Sequence, residues 1–269
     1  MMKLAAIQMT SGADIGDNLA AAEAMIRNAA AEGATLIATP EVTDLVAASP
    51  ADRLEKAFTQ DAHPGIALFS GLARELSVDL LIGSMVIKTE AEKLANRSFF
   101  FAQDGTLAGT YDKIHLFDVD LPGGESYRES DHYAAGSGRT LVKTDACALG
   151  MSICYDLRFP YLYRSYARDG ADILAVPALF TVPTGRAHWH VLLRARAIET
   201  GCFVLAPAQI GDHGSRQSYG HSLIISPWGE ILAERTDETP GILVSEINPD
   251  AVAAARSAIP SLSHDRDLS

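Results

Sequence analysis

The sequence predicts an α/β protein whose helices cover a mixed sheet. Three observations carry that prediction: a helix-then-strand unit recurs four times, two hairpins interrupt the alternation, and no linker or low-complexity block divides the 269 residues. The chain is therefore read as one domain, residues 1–269, of a length that large α/β domains reach.

The first unit places Leu19, Ala22, Ile26 and Ala29 on one helical face, followed by Gly33 and the strand "ATLIATPE", which Pro40 closes. "GIALFSGLAREL" leads into "VDLLIGSMVI" as the second unit. In the third, Phe159, Leu162, Tyr163 and Tyr166 recur at helical spacing, Gly170 caps, and "ADILAVPALF" follows. The fourth runs from "AHWHVLLRARAIETG" into "CFVLAPAQI". Hairpins turn at Asp104-Gly105 and near Trp228-Gly229, and their antiparallel strands make the sheet mixed. Residues 112–139 are polar, rich in glycine and acid, and lack periodicity. Irregular segments of that length are usually functional, which makes this one a candidate rim or lid.

Composition narrows the function. A net charge of −12 argues against a nucleic-acid groove and an anionic membrane surface, both of which favour lysine and arginine. No apolar run approaches the ~20 residues of a membrane helix. The N-terminus lacks the longer apolar core of a secretory leader. Three cysteines, Cys147, Cys154 and Cys202, are no disulfide framework. The expectation is a soluble protein of the reducing cytoplasm.

Cys154 is the singular residue. It ends the apolar run "LGMSICYD", where a strand gives way to a turn, and the segment after it runs into a helix near Pro160. The positive amino end of that helix favours a thiolate. Two readings stand: a nucleophile, or a small apolar residue at a strand end. Cys147 and Cys202 read as packing residues. None of the eight histidines has a context that marks a base, and His188 and His190, two apart on a helix, make a poor metal pair. No G-x-S-x-G elbow, P-loop or complete dinucleotide fingerprint occurs. Glu41, after "TLIATP", and Lys113, in "GTYDKIHL", also end strands. Ligands of α/β sheets lie beyond the carboxyl ends of strands, so the three side chains are candidates for one pocket. Solvated charges at strand ends are the competing explanation.

"TPE" with Glu41, "YDKIHLFD" with Lys113 and "GMSICYDLRFP" with Cys154 resemble the three signature segments of the nitrilase superfamily of carbon–nitrogen hydrolases. The likeness runs nearly end to end, through "KLAAIQMTSGADIGDNL", "TGRAHWHVLLRARAIETGCFVLAPAQ", "SYGHSLIISPWGEILAE" and "IPSLSHDRDL". The most similar subgroup is that of the Nit proteins. The resemblance implies a four-layer α-β-β-α sandwich with two mixed sheets, assembled as a homodimer or higher homo-oligomer, with residues 249–269 at the subunit interface. It also implies an amidase that needs no cofactor or metal and cleaves the terminal carboxamide of a small carboxylate-bearing substrate. The products are acid and ammonia, formed through a cysteine thioester. Deaminated glutathione is the first substrate type and the omega-amides alpha-ketoglutaramate and succinamate are the alternative. A non-catalytic protein-binding scaffold is the rival of another class, and the intact trio argues against it.

The resemblance assigns roles residue by residue. Cys154 is the nucleophile, Glu41 the base and Lys113 the oxyanion stabiliser, with the backbone N–H of Tyr155 as the second donor. Glu129 in "YRES" matches the second glutamate, with Glu125 its rival. Arg158 is the candidate for a substrate carboxylate, against a salt bridge to a loop acid. Phe180 and Thr184 match pocket positions. One departure bears on specificity: Arg186 and His190 stand where many relatives have proline and glutamate.

Overall fold

The computed structural model describes residues 1–90, 93–214 and 216–266. Along the first half run β1 (Met2–Gln8), α1 (Ile15–Ala31), β2 (Leu36–Ala38), α2 (Pro50–Lys56), β3 (Phe58–Thr59), α3 (Pro64–Leu76), β4 (Asp79–Lys88), β5 (Leu94–Phe101) and β6 (Leu107–Asp112). A small hairpin of β7 (Asp118–Asp120) and β8 (Ser126–Arg128) follows. The second half holds β9 (Leu141–Lys143), β10 (Ala148–Met151), α4 (Pro160–Arg168), β11 (Ile173–Ala175), α5 (Val182–Thr200) and β12 (Phe203–Ala206). Then come β13 (Ile210–Asp212), β14 (Gln217–Tyr219), β15 (Leu223–Ile225), β16 (Ile231–Glu234), β17 (Gly241–Ile247) and α6 (Asp250–Ala258).

Two mixed sheets result, ordered β17-β1-β2-β4-β5-β6 and β16-β15-β12-β11-β10-β9, with β3 pairing β4 at the side of the first. Each has parallel strands at its centre, β1-β2-β4 and β10-β11-β12, and antiparallel neighbours outside. The hairpins expected at Asp104-Gly105 and Trp228-Gly229 join β5 to β6 and β15 to β16.

The alternation of side chains along buried strands builds the layers. Leu4 and Ala6 of β1 and Leu81 of β4 pack with Leu149, Met151, Ile173, Ala175 and Leu205 in the core between the sheets. The alternate residues Ala5, Ile7, Leu80 and Ile82 face Leu19, Ala22, Ile26 and Ala29 of α1 and Phe69 and Leu72 of α3. On the far side, α4 and α5 bury Leu162, Tyr163, Tyr166, Trp189 and Leu193 against the second sheet. The layers are therefore α-β-β-α, as expected. Fully burying one such side chain contributes about 1.5–3 kcal/mol, which offsets the ordering entropy of strands as short as three residues.

Local chemistry ends the helices. Asp14 caps α1 by accepting from the Asp17 N–H at 2.9 Å. Gly201, at φ 60°, closes α5 in the left-handed conformation. Because β4, β5 and β6 alternate in direction, β2 and β6 run the same way, and their carboxyl ends emerge together.

Candidate active site

Glu41 follows β2 by three residues, in a loop that backbone geometry holds tightly. Its neighbour Val42 sits at φ 48°, a region a β-branched residue rarely adopts. The Val42 N–H donates to Ser84 Oγ at 2.8 Å, and the Gly83 N–H donates to Thr39 Oγ1 at 3.0 Å. A Cβ on Gly83 would lie 2.1 Å from Thr39 O, so only glycine lets the β4 bulge approach this loop. Behind it, Gln209 Nε2 donates to Glu41 O at 3.0 Å and to Ser11 Oγ at 2.8 Å, both buried.

Lys113 is the first residue after β6, and its N–H continues the ladder to Asn96 O at 3.0 Å. Cys154 differs from expectation. Its strand stops at Met151, and the cysteine opens a five-residue 3-10 turn, Cys154–Arg158, at φ 49°. Asp156, fully buried, holds that turn by accepting from the Ile153 N–H at 2.8 Å, the Tyr111 hydroxyl at 2.7 Å and the His115 N–H at 3.0 Å. The segment 112–139, expected to be irregular, carries the β7–β8 hairpin and a 3-10 turn at Glu129–Asp131 that brings Glu129 inward.

These elements bring the side chains together on the wall of a cavity of about 400 Å³. Lys113 Nζ lies 2.9 Å from Glu41 Oε1 and 2.9 Å from Glu129 Oε2. Glu41 Oε2 accepts from the Leu179 N–H at 2.8 Å, and the Cys154 thiol is near enough to the same carboxylate that each group shifts the other's titration. Cys154 Sγ is 3.8 Å from Leu179 O, so the two polar groups of Leu179 hold acid and thiol side by side. Glu129 also accepts from the Phe117 N–H at 2.6 Å. Glu125, its rival, is exposed and accepts from the Tyr127 hydroxyl at 2.9 Å, away from Lys113. The Tyr155 N–H, second in its turn, has no acceptor among the described residues.

Burial and charge oppose one another at these groups. Burial pushes the Glu41 carboxyl up, but the Lys113 charge and the bonds from Lys113, Cys154 and Leu179 leave it below its usual range. Burial pushes Lys113 down, and the charges of Glu129 and Glu41 more than restore it, well above an ordinary lysine. Burial, then the Glu41 charge, drives the Cys154 thiol well above its usual value, against the pull of Lys113. The resting state is thus a neutral thiol beside a carboxylate and an ammonium. The thiolate-favouring helix end anticipated near Pro160 does not set this balance, because α4 begins six residues after the thiol.

Arg158, Tyr155, Phe180 and Thr184 all line the cavity. Arg158 makes no ion pair among the described residues; it lies over the rings of Tyr155 and Phe180, 5.8 and 5.6 Å from their centroids. Arg186 and His190 do not line the cavity. His190 Nε2 and His221 Nδ1 lie 2.9 and 2.7 Å from Glu234 Oε1, a cluster its hydrogen bonds account for. Cys147 and Cys202 are buried and free, with burial pushing Cys147 up to about 11.

Asn96 escaped sequence reasoning. From β5 its Nδ2 donates to Glu41 Oε1 at 2.9 Å and to Glu129 Oε1 at 3.3 Å. Its only signal was a polar residue at an inward position of "LANRSFFF".

The model of the carbon-nitrogen hydrolase family matches residues 3–257. The chain belongs to the carbon–nitrogen hydrolase family. It is an enzyme that hydrolyses an amide carbon–nitrogen bond. A deaminated glutathione amidase of Synechocystis is 43% identical over 265 residues, 97% of this chain and 96% of that one. Among solved structures, the C. elegans NitFhit protein superposes with a TM-score of 0.92 at 36% identity, covering 98% of this chain; this chain spans 65% of that longer one. Saccharomyces cerevisiae Nit3, a member of branch 10 of the nitrilase superfamily, gives 0.86 at 29% identity over 96% of this chain and 94% of its own. These carbon–nitrogen hydrolases share the α-β-β-α sandwich described above.

Proposed function

We propose that the chain is a cysteine amidase of the deaminated glutathione type, with Cys154 as nucleophile and Glu41 as base. The observation that carries this reading is one buried carboxylate, Glu41, 2.9 Å from the Lys113 ammonium and set beside the Cys154 thiol by Leu179, whose N–H donates to Glu41 at 2.8 Å and whose carbonyl lies 3.8 Å from Cys154 Sγ. A substrate carbonyl enters over the thiol. Sulfur attacks its carbon while the thiol proton passes to Glu41, and the carbonyl oxygen becomes an oxyanion held by Lys113 Nζ and the Tyr155 N–H. As Lys113 turns its charge toward the oxyanion, it stabilises the Glu41 carboxylate less, so Glu41 becomes a stronger base as the proton arrives. Glu41 then gives that proton to the departing amine, leaving a thioester. Glu41 takes a proton from water as its oxygen attacks the thioester carbon; the carbon–sulfur bond breaks, the proton returns to Cys154 Sγ, and the acid leaves. Glu129 keeps Lys113 charged and oriented throughout.

The expectation of ammonia needs correcting for the first substrate type: a primary carboxamide releases ammonia, but deaminated glutathione, whose amide joins a 2-oxo diacid to a dipeptide, releases cysteinylglycine. Arg158, stacked and without an acid partner among the described residues, suits the carboxylate of the acyl portion. Omega-amidase action on alpha-ketoglutaramate or succinamate is the second reading, and it needs Arg158 alone. A scaffold without catalysis leaves a buried thiol beside a buried carboxylate–ammonium pair on one cavity wall unexplained. Amine release from deaminated glutathione, alpha-ketoglutaramate and succinamate by wild type and Cys154→Ala tests the assignment; equal rates in the two proteins refute it.

The same reading takes residues 1–269 as one domain, supported by β17 pairing β1 over seven residues, which closes the first sheet with the far end of the chain. The enzyme is a cytoplasmic homodimer in this reading. Three free thiols support the compartment. Exposed Ile198, Trp228 and Ile259 gather round a second cavity of about 230 Å³ and support an interface there. The tail after Pro249 reaches that surface: Arg256 Nε donates to Thr200 O at 3.1 Å, and Arg164 Nη2 donates to Ser261 O at 2.9 Å. Residues 267–269 of the expected interface segment lie outside the described residues.

A further inference from the structure

The chain carries 34 acidic and 22 basic residues, yet the cavity above the thiol is lined by four arginines. Arg53 comes from α2, Arg128 from β8, Arg158 from the turn that begins at Cys154, and Arg216 from the β13–β14 connection. Among the described residues only Arg128 joins an ion pair, with Asp120 at 2.8 Å, while Arg158 Nη1 lies 3.4 Å from His188 Nδ1. Among the described residues Arg53, Arg158 and Arg216 join no ion pair. Each lies instead against an aromatic ring: Arg53 is 5.5 Å from the Tyr133 centroid and Arg216 is 5.8 Å from that of Tyr127. A guanidinium resting on a ring keeps its N–H edges free for a planar anion and loses little further freedom on binding one. In an acidic molecule, three such groups on one concavity concentrate positive potential where ligands enter.

Arg158 belongs to the nucleophile's own turn and suits a carboxylate on the acyl side of the amide. Arg53 and Arg216 belong to separate walls, and one carboxylate near the thiol does not account for them. We propose that Arg53 and Arg216 form a distal anion subsite, so that the preferred substrate bears a second carboxylate on the leaving-amine side of the scissile bond. This rests on the amidase reading and sharpens it. The amine released is then a carboxylate-bearing, peptide-like amine. Short omega-amides, which release ammonia, leave the subsite empty.

Calorimetric binding to Cys154→Ala protein tests this without turnover, using deaminated glutathione and the same molecule with its glycine carboxylate capped as the amide. The free carboxylate binds about 10- to 100-fold tighter, as expected of hydrogen bonds to a charged group. Adding Arg53→Gln and Arg216→Gln brings that ratio to about 1, and Arg53→Lys with Arg216→Lys retains part of it, because the charge stays while the fork is lost. The ratio also shrinks as salt rises. Equal binding of capped and free forms, an undiminished ratio in the Gln variants, or no binding of either form overturns the subsite. Failure of the amidase reading looks different: the free-carboxylate preference holds while wild type turns over neither form.

Discussion

Asn96 donates from its side-chain amide to Glu41 at 2.9 Å and reaches Glu129 with the same nitrogen at 3.3 Å. One neutral donor thus joins the two carboxylates that flank Lys113, and fixes their spacing without adding charge. Its Oδ1 is buried with no hydrogen-bond partner among the described residues, a cost the chain accepts to aim the nitrogen.

Asn96→Ala is expected to lower kcat about 10- to 100-fold, the scale of a lost hydrogen bond to a charged group, with KM changed little. Asn96→Asp adds a third carboxylate beside Lys113 and is expected to be worse. Steady-state kinetics on both variants check this; a change confined to KM assigns Asn96 to substrate binding instead.

Much of this site was legible in the sequence because its parts are local. "TPE", "YDK" and "ICYD" each put a reactive residue just past an apolar run, and strand ends of an α/β sheet share one side of the molecule. Asn96, Leu179 and Gln209 were not legible, because sheet pairing and loop packing bring them from 55, 138 and 168 residues away to touch Glu41. The β7–β8 hairpin was missed for another reason: three-residue strands are too short to display alternation. The protonation of Cys154 also lay beyond the sequence. It depends on how deeply the fold buries the thiol against Glu41, and no local pattern encodes that.

Gly83→Ala tests the anchoring of the Glu41 loop. The added Cβ meets Thr39 O and Pro40 O at 2.1 and 2.4 Å, both backbone atoms that cannot swing away. A loss of about 1–3 kcal/mol in unfolding free energy is expected, as for overpacked interiors, together with a fall in kcat as the loop shifts. Urea unfolding and kinetics on one sample measure both. Wild-type stability in this variant contradicts the close approach.

Acid stability carries the signature of Glu41. Its folded value is depressed, so it contributes stability that is present above the ordinary carboxyl value of about 4.3 and lost as pH falls below it. Wild type is expected to lose more Tm between pH 5 and 3 than Glu41→Gln, in which that linkage is absent. At the alkaline end the sign reverses for Cys154, whose folded value is raised. Its contribution is intact below the ordinary thiol value of about 8.5 and fades as pH rises beyond it, so Cys154→Ala is expected to resist alkali better than wild type. Parallel Tm curves in either comparison contradict the stated shift.

Ile198→Glu tests the proposed dimer surface. Ile198 is 53% exposed beside Trp228 and Ile259, and a charge there is costly only if another subunit covers it. Sedimentation is expected to report a dimer for wild type and a monomer for the variant, at unchanged far-UV circular dichroism. Identical masses remove this face as the interface.

The most direct measurement is acid-quenched intact-mass and peptide mapping of wild type during turnover of an amide substrate. The account predicts a transient acyl mass on the peptide holding Cys154, formed no slower than product and absent from Cys154→Ala, which is inactive. Turnover undiminished in Cys154→Ala, or an acyl group carried by Cys147 or Cys202 instead, contradicts it.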